Sequence, residues 1–210
     1  MTYTVNEIFY TLQGEGAQAG RAAVLCRFTG CNLWSGHERD RERARCRFCD
    51  TDFVGTDGQG GGRISSATEL ADAVARAWMG APVHRYVVFT GGEPTLQLDA
   101  AVVAAVRRRG FSAAIETNGT RAVPRGLDWV CVSPKAGVPL VQRRGNELKV
   151  VFPQAGLEPA ALEHLPFTHR FLQPCDGPEL AANTHAAIEY CLANPAWRLS
   201  VQAHKLVGIP

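Results

Sequence analysis

Three cysteines, Cys31, Cys46 and Cys49, concentrate the metal-binding chemistry of this chain in one stretch, CNLWSGHERDRERARCRFCDTD, spaced C-x14-C-x2-C. Cys46 and Cys49 can reach one centre from a single turn. Cys31 joins them if the fourteen intervening residues fold back. Thiolates suit zinc, copper(I) and iron–sulfur clusters. A closed zinc or iron–sulfur site takes four protein ligands, so three cysteines leave one position for another group. Three readings share the pattern: a Cys3His zinc site recruiting His37, cysteines buried separately as small hydrophobes, and a four-iron cluster with one iron open to a substrate or cofactor. Spacing alone leaves all three standing.

The elements that must position these thiols follow from periodicity. Ala22–Thr29, AAVLCRFT, reads as the first strand and delivers Cys31. The glycine-rich GTDGQGGGR after the cysteines lacks the G-x-G-x-x-G spacing of a dinucleotide site and reads as a mobile connection. Ser66-Ala-Thr-Glu69 is a capping box, opening a helix on Leu70, Val74 and Trp78 that Gly80 can stop. Tyr86–Thr90 is a buried strand leading into Gly91-Gly92-Glu93-Pro94. A helix from about Leu98 to Arg109 follows, then strands at Phe111–Glu116, Trp129–Val132, Leu148–Phe152 and Arg170–Leu172. Asp176 and Glu179 are positioned to cap a third amphipathic helix carrying Leu180, Ile188 and Leu192. A last strand, Arg198–Gln202, precedes the tail AHKLVGIP.

Apolar strands alternating with helices predict a parallel sheet covered by helices. The polar motifs TGGEP, ETNG, SPK and QPCD each follow a strand, and in α/β folds the carboxyl ends of parallel strands carry the site. About six or seven mainly parallel strands fall short of an eightfold barrel. The expectation is therefore one α/β domain over residues 1–210, an open or partial TIM-like barrel with its polar motifs in one pocket and an insertion at about 35–45.

Totals narrow the function. At 210 residues, 46% apolar and 20% charged, the composition is that of an ordinary globular domain. A net charge of +2 is too small to imply a nucleic-acid partner. The alternating charges of His37–Arg47 read as a solvated segment. MTYTVNEIFYTLQGEG has no basic flank followed by an apolar core, and no run reaches the roughly 20 apolar residues of a membrane span. Seven cysteines without a secretory signal favour a reducing, cytoplasmic setting.

With three cysteines on the loop after one strand and Gly91-Gly92-Glu93-Pro94 after the next, the chain resembles the radical S-adenosylmethionine (SAM) superfamily. The superfamily spacing is C-x3-C-x2-C, so the first gap here carries eleven extra residues. Phe9-Tyr-Thr-Leu-Gln-Gly-Glu-Gly16, Arg27, Cys49-Asp50-Thr51, Glu116-Thr-Asn-Gly119, Ser133-Pro-Lys135, Gln173-Pro174 and His204-Lys205 are together similar to the 7-carboxy-7-deazaguanine synthases.

That resemblance implies a [4Fe–4S] cluster on Cys31, Cys46 and Cys49, with SAM at the fourth iron and cleaved by one electron to a 5′-deoxyadenosyl radical. It implies SAM contacts from Phe48, Asp50, Gly91, Gly92, Glu93, Glu116, Ser133, Lys135, Gln173 and Asp176. Residue by residue, Phe48 reads equally as core and Asp176 as a helix cap. The implied substrate is 6-carboxy-5,6,7,8-tetrahydropterin, its carboxylate met by the planar fork of Arg27. Its pterin would be read by Leu12, Gln13, Gly14, Glu15, Thr90 and Gly92, with His204 and the carboxylate of Pro210 closing the pocket. Hydrogen removal from carbon 6, ring contraction and loss of ammonia would give 7-carboxy-7-deazaguanine, with SAM regenerated. The resemblance further implies Mg²⁺ at Thr51, an electron donor such as flavodoxin, and a homodimer. A glycyl-radical activating enzyme and a zinc-binding module are the rival readings.

Overall fold

The structure, a computed structural model, describes residues 2–210. One nine-stranded sheet runs through the chain: β1 (Tyr3–Leu12), β2 (Ala22–Phe28), β3 (Gly62–Ile64), β4 (Tyr86–Gly91), β5 (Ser112–Thr117), β6 (Trp129–Val132), β7 (Gly145–Phe152), β8 (Phe167–Pro174) and β9 (Arg198–Leu199). Their spatial order is β3-β1-β2-β4-β5-β6-β7-β8-β9. From β2 through β4 to β9 every pairing is parallel, while β1 pairs antiparallel with β2 and β3. The two edge strands do not pair with each other, so the barrel is open, with seven parallel strands as its working part.

Helices α1 (Ala67–Ala77) and α2 (Ala100–Arg108) cover the first half of the sheet. Their buried Leu70, Val74, Val102 and Val106 meet Val24, Val87, Phe89 and Ile115 in one core. Helix α3 (Leu180–Ala193) covers the second half, joining Val132, Leu148, Val150, Phe167 and Leu172. A short helix α4 (Ala203–Val207) ends the chain.

Several local expectations change. Strand β1 was hidden in sequence because a bulge between Val5 and Glu7 breaks its alternation, turning Asn6 inward beside Val5. In the capping box, the Ser66 hydroxyl accepts from the Glu69 amide at 3.2 Å, but the Glu69 carboxylate turns to the amide and hydroxyl of Ser65. Helix α2 is capped by Asp99, whose carboxylate accepts from the Val102 amide and the Tyr3 hydroxyl. Neither Asp176 nor Glu179 caps α3, because Asp176 turns to the Gly177 amide and to Lys205. The apolar stripe expected on α3 is not its buried face. Leu180, Ile188 and Leu192 are exposed, and α3 packs through Ala187, Tyr190 and Cys191.

The glycine-rich segment is a packed element. The Gln59 carbonyl accepts from the Ile8 amide at 2.6 Å, and β3 joins the sheet beside β1. A Cβ on Gly61 would lie 2.1 Å from the Asn6 carbonyl oxygen and 2.6 Å from that of Thr56. Backbone atoms cannot yield as a side chain does. Gly61→Ala is therefore expected to destabilise the protein by roughly 1–3 kcal/mol, read as a lower midpoint in urea unfolding; an unchanged midpoint would show the segment is free to move.

Candidate active site

The carboxyl ends of the parallel strands open into a cavity of about 350 Å³, and the cysteine loop forms one wall of it. Cys31 follows β2 after Thr29 and Gly30. The insertion then folds back through a short 3-10 helix, Glu38–Arg43. Trp34 packs edge-on against Phe53, 5.7 Å between ring centres, over the buried Ala44. The Arg41 guanidinium lies 4.2 Å above the Trp34 ring and donates to the carbonyls of Arg47 (2.7 Å) and Cys49 (3.1 Å). These bonds bracket Phe48 and hold the paired cysteines in place, so the fold-back that Cys31 requires is built into the insertion.

All three thiols line the cavity. Cys49 is pushed down to about 6, first by its hydrogen bond with the Cys46 thiol and then by the Thr51 amide and hydroxyl. Cys46 is pushed up as that donor and by burial, and Cys31 is raised by burial. Among the described residues no three Cys, His, Asp or Glu side chains converge on a single metal ion. His37 is exposed and outside the cavity. The Cys3His set that would recruit His37 is therefore not assembled, and three thiols facing one cavity have the donor chemistry of an iron–sulfur cluster.

Gly91 and Gly92 sit where β4 meets the cysteine loop. Gly91 has a φ of +137°, and a Cβ there would lie 2.2 Å from the Phe28 carbonyl oxygen. At Gly92 it would lie 2.2 Å from the Gly30 oxygen and 2.8 Å from the Cys31 Cβ. These glycines let the two loops close on each other while still facing the cavity. Glu93 does not line it. The side chain is 0% exposed. Its carboxylate accepts from the Thr95 amide (2.9 Å) and hydroxyl (2.5 Å), the Thr117 hydroxyl (2.7 Å) and the Asn118 amide (2.8 Å).

The remaining residues expected around SAM come from successive strand ends. Phe48, Asp50, Glu116, Ser133, Lys135, Gln173 and Asp176 all line the cavity. The Lys135 ammonium donates to the Ser133 carbonyl and hydroxyl, each at 2.7 Å, and sits 6.0 Å from the Phe48 ring centre. Burial lowers its pKa. Asp50 and Asp176 are both bridged by Lys205 of α4 at 2.6 Å. Burial alone would raise the Asp50 carboxyl, but Lys205 and Gln202 outweigh it and hold it down. Thr51 lies beside Asp50 on the same wall.

The opposite wall holds Leu12, Gln13, Gly14, Glu15, Arg27, Thr90, His204 and Pro210. Arg27 donates from Nε to Glu7 at 2.6 Å. His204 packs on Gly14, whose carbonyl accepts from the Ala203 amide at 2.9 Å. The Thr11 hydroxyl donates to the Pro210 carbonyl at 2.9 Å. The tail thus bridges from β9 back to β1 over the gap in the barrel. At the floor, Lys149 is 5% exposed and donates to Glu15 and, at 3.4 Å, to Glu116. Glu15 also accepts from Gln173 and Gln202, both at 3.1 Å, and Glu116 from Gln13 at 3.0 Å.

Residue type and spacing alone give no role to Glu7, Lys149, Gln202 and Lys205. Lys149 stands in NELKVVF, where charges alternating with Leu148 and Val150 look like a half-solvated strand; in an open barrel that polar face looks inward instead. Glu7 was concealed with the rest of β1, although its partner Arg27 was recognised.

The family model described as the Radical SAM superfamily matches residues 43–150. An open parallel barrel with three cavity-facing thiols on the loop after its first parallel strand is the architecture of a radical SAM enzyme. Over 210 residues the chain is 64% identical to 7-carboxy-7-deazaguanine synthase from Bordetella pertussis. It is 63% identical over 209 residues to the enzyme of that name from Bradyrhizobium diazoefficiens, and both alignments cover 100% of each chain. The crystal structure of QueE from Escherichia coli matches with a TM-score of 0.70 at 29% identity, covering 97% of this chain and 95% of that one. The chain belongs to the 7-carboxy-7-deazaguanine synthase family. Full-length identity of this order sets aside the activating-enzyme and zinc-module readings.

Proposed function

We propose that the chain converts 6-carboxy-5,6,7,8-tetrahydropterin into 7-carboxy-7-deazaguanine and ammonia, as a step toward queuosine and other 7-deazapurines. One observation carries the reading: a single cavity joins three thiols suited to a cluster with a wall of Gln13, Glu15, Arg27 and His204, suited to a carboxylated, guanine-like molecule. When bound, a [4Fe–4S] cluster on Cys31, Cys46 and Cys49 together with SAM supplies a radical able to take a hydrogen atom from the substrate.

The chain's residues do the rest. Glu7 occupies only Nε of Arg27, leaving the terminal nitrogens to hold a substrate carboxylate on two bonds. Glu15, an acceptor-only carboxylate, faces the N–H groups of the pterin edge. Glu116, Ser133, Lys135, Gln173 and Asp176 orient SAM from the strand ends. The tail, tied down at Gly14, Thr11, Asp50 and Asp176, keeps water from a reactive intermediate. Thr51 would offer one hydroxyl to Mg²⁺, a hard cation that takes oxygen ligands. The reductant is a flavodoxin-type protein and the assembly a homodimer, which light scattering tests. Among the described residues no helix is long and apolar enough to cross a membrane.

The test is incubation of reconstituted, reduced protein with SAM and the carboxytetrahydropterin. 7-Carboxy-7-deazaguanine should form with SAM regenerated. SAM cleavage without that product would refute the substrate assignment. Arg27→Ala is expected to raise KM at least about tenfold, the equivalent of losing roughly 1.4 kcal/mol of charge-assisted hydrogen bonding, with iron content unaltered. Lost iron would contradict the assigned role.

A further inference from the structure

Gln202 stands between β9 and α4, beside Gly14, whose carbonyl accepts from the Ala203 amide at 2.9 Å. Its side chain lines the cavity among charged groups. Nε2 donates to Glu15 at 3.1 Å and to Asp50 at 3.0 Å, while Oε1 accepts from the Lys205 ammonium at 2.9 Å. The amide has no other way round. An ammonium offers only donors and a carboxylate only acceptors, so the oxygen faces Lys205 and the two hydrogens of one nitrogen serve a carboxylate each. Lys205 in turn holds Asp50 and Asp176, each at 2.6 Å.

One amide therefore joins the carboxylate assigned to the pterin edge to a carboxylate assigned to SAM. Glu15 also reaches the SAM wall through Gln173 and, by way of Lys149, through Glu116. Gln173 and Lys149 stand within β8 and β7, where the sheet fixes them. Gln202 and Asp50 instead belong to the tail and the cysteine loop, outside any strand. A ligand that orders Glu15 thus orders the tail and, through Nε2 of Gln202, Asp50; a ligand that orders Asp50 acts in the opposite direction. We infer that Gln202 is a positioning residue that makes SAM and the carboxylated pterin bind cooperatively, an inference that rests on the substrate proposed above. Neither ligand needs to touch Gln202 for this. Coupling of two binding equilibria is reciprocal, so each ligand raises the affinity of the other by the same factor.

The experiment measures equilibrium binding of SAM and of the carboxytetrahydropterin to reconstituted protein, anaerobically and without reductant, each with and without saturating amounts of the other. With no electron supplied, SAM stays whole and the readout is affinity, not turnover. In the unaltered protein each ligand should tighten the other at least about fivefold. Gln202→Met keeps the length of the side chain and removes every hydrogen bond. Gln202→Glu keeps the acceptor for Lys205 and, ionised, has nothing to donate. In both variants the ratio should fall to within about twofold of unity, whatever the separate affinities do, and either decides the matter if the other loses iron. Leu206→Ala, at a side chain of α4 that is 75% exposed, should keep the full ratio. Its loss there as well would assign the coupling to the tail as a whole and overturn the role of Gln202. So would a ratio unchanged in Q202M and Q202E, or no coupling in the unaltered protein. Unaltered protein that binds SAM but not the pterin would instead remove the substrate reading, and the role of Gln202 with it.

Discussion

Alanine at Glu93 is expected to destabilise the protein by about 3–5 kcal/mol, because it strands several buried donors at once. For a chain of this length that lowers Tm by roughly 6–20 °C, measurable by calorimetry on the metal-free protein. Four groups donate to its carboxylate, from Thr95, Thr117 and Asn118. The two hydroxyls can turn to other acceptors; the amides of Thr95 and Asn118 cannot. The strut joins the end of β4 to the end of β5, while the Glu93 amide donates to the Gly30 carbonyl at 2.9 Å, next to Cys31. Glu93→Gln should recover part of the loss, since one oxygen remains to accept, but its amide nitrogen must then face a donor. An E93A variant with unchanged Tm and selectively weakened SAM binding would make the carboxylate a ligand group instead of a strut.

Glu93 also shows which part of the site was legible from sequence. The motif Gly91-Gly92-Glu93-Pro94 announces itself by residue type, and its place after a strand follows from the apolar run before it. What residue type cannot give is direction. The same carboxylate serves a ligand or a neighbouring strand depending on which way one turn faces, and here it faces Thr117 and Asn118. The apolar strand Tyr86–Gly91 is readable because burial on both faces imposes an unbroken apolar run. Strand β1 is not, because its bulge shifts the pattern partway along. The segment from Gly55 to Gly62 is ambiguous in sequence for a related reason: glycine marks both freedom and close contact, and the Asn6 carbonyl oxygen, 2.1 Å from where a Cβ on Gly61 would lie, distinguishes them. On α3, three large apolar residues suggested a buried face, yet Leu192 is 78% exposed. Helical spacing identifies a stripe without saying what covers it.

The charged floor of the cavity was the least visible feature, and it yields the other large effect. Removing the ammonium in Lys149→Met is expected to raise KM for the pterin at least about tenfold at neutral pH and to bring an acid limb into the KM profile at higher pH than in the unaltered protein. Burial alone would raise the Glu15 carboxyl, but Lys149 outweighs it and holds it below the ordinary value of 4.5. Burial alone would lower Lys149, but Glu116 and Glu15 outweigh it and keep it well above 10.5. A lowered carboxyl stabilises the fold above its unfolded value and is lost as pH falls through the folded one. A raised ammonium stabilises below its unfolded value and is lost as pH rises through the folded one. The pair is therefore fully effective between 4.5 and 10.5. Without Lys149, Glu15 keeps its burial and loses its principal cation, with His204 the lesser one left beside it, so it takes up a proton at higher pH than in the unaltered protein. A protonated Glu15 has one acceptor fewer for the substrate's N–H groups. Gln173, Gln202 and Glu116 remain in place, and the Glu147 carboxyl, raised by its own burial, contributes no cation. Lys149→Arg keeps the charge and should return the acid limb toward its original position even if packing suffers. If K149M and K149R shift KM alike without moving the pH dependence, Lys149 fills space at the floor of the barrel and does not govern the ionisation of Glu15.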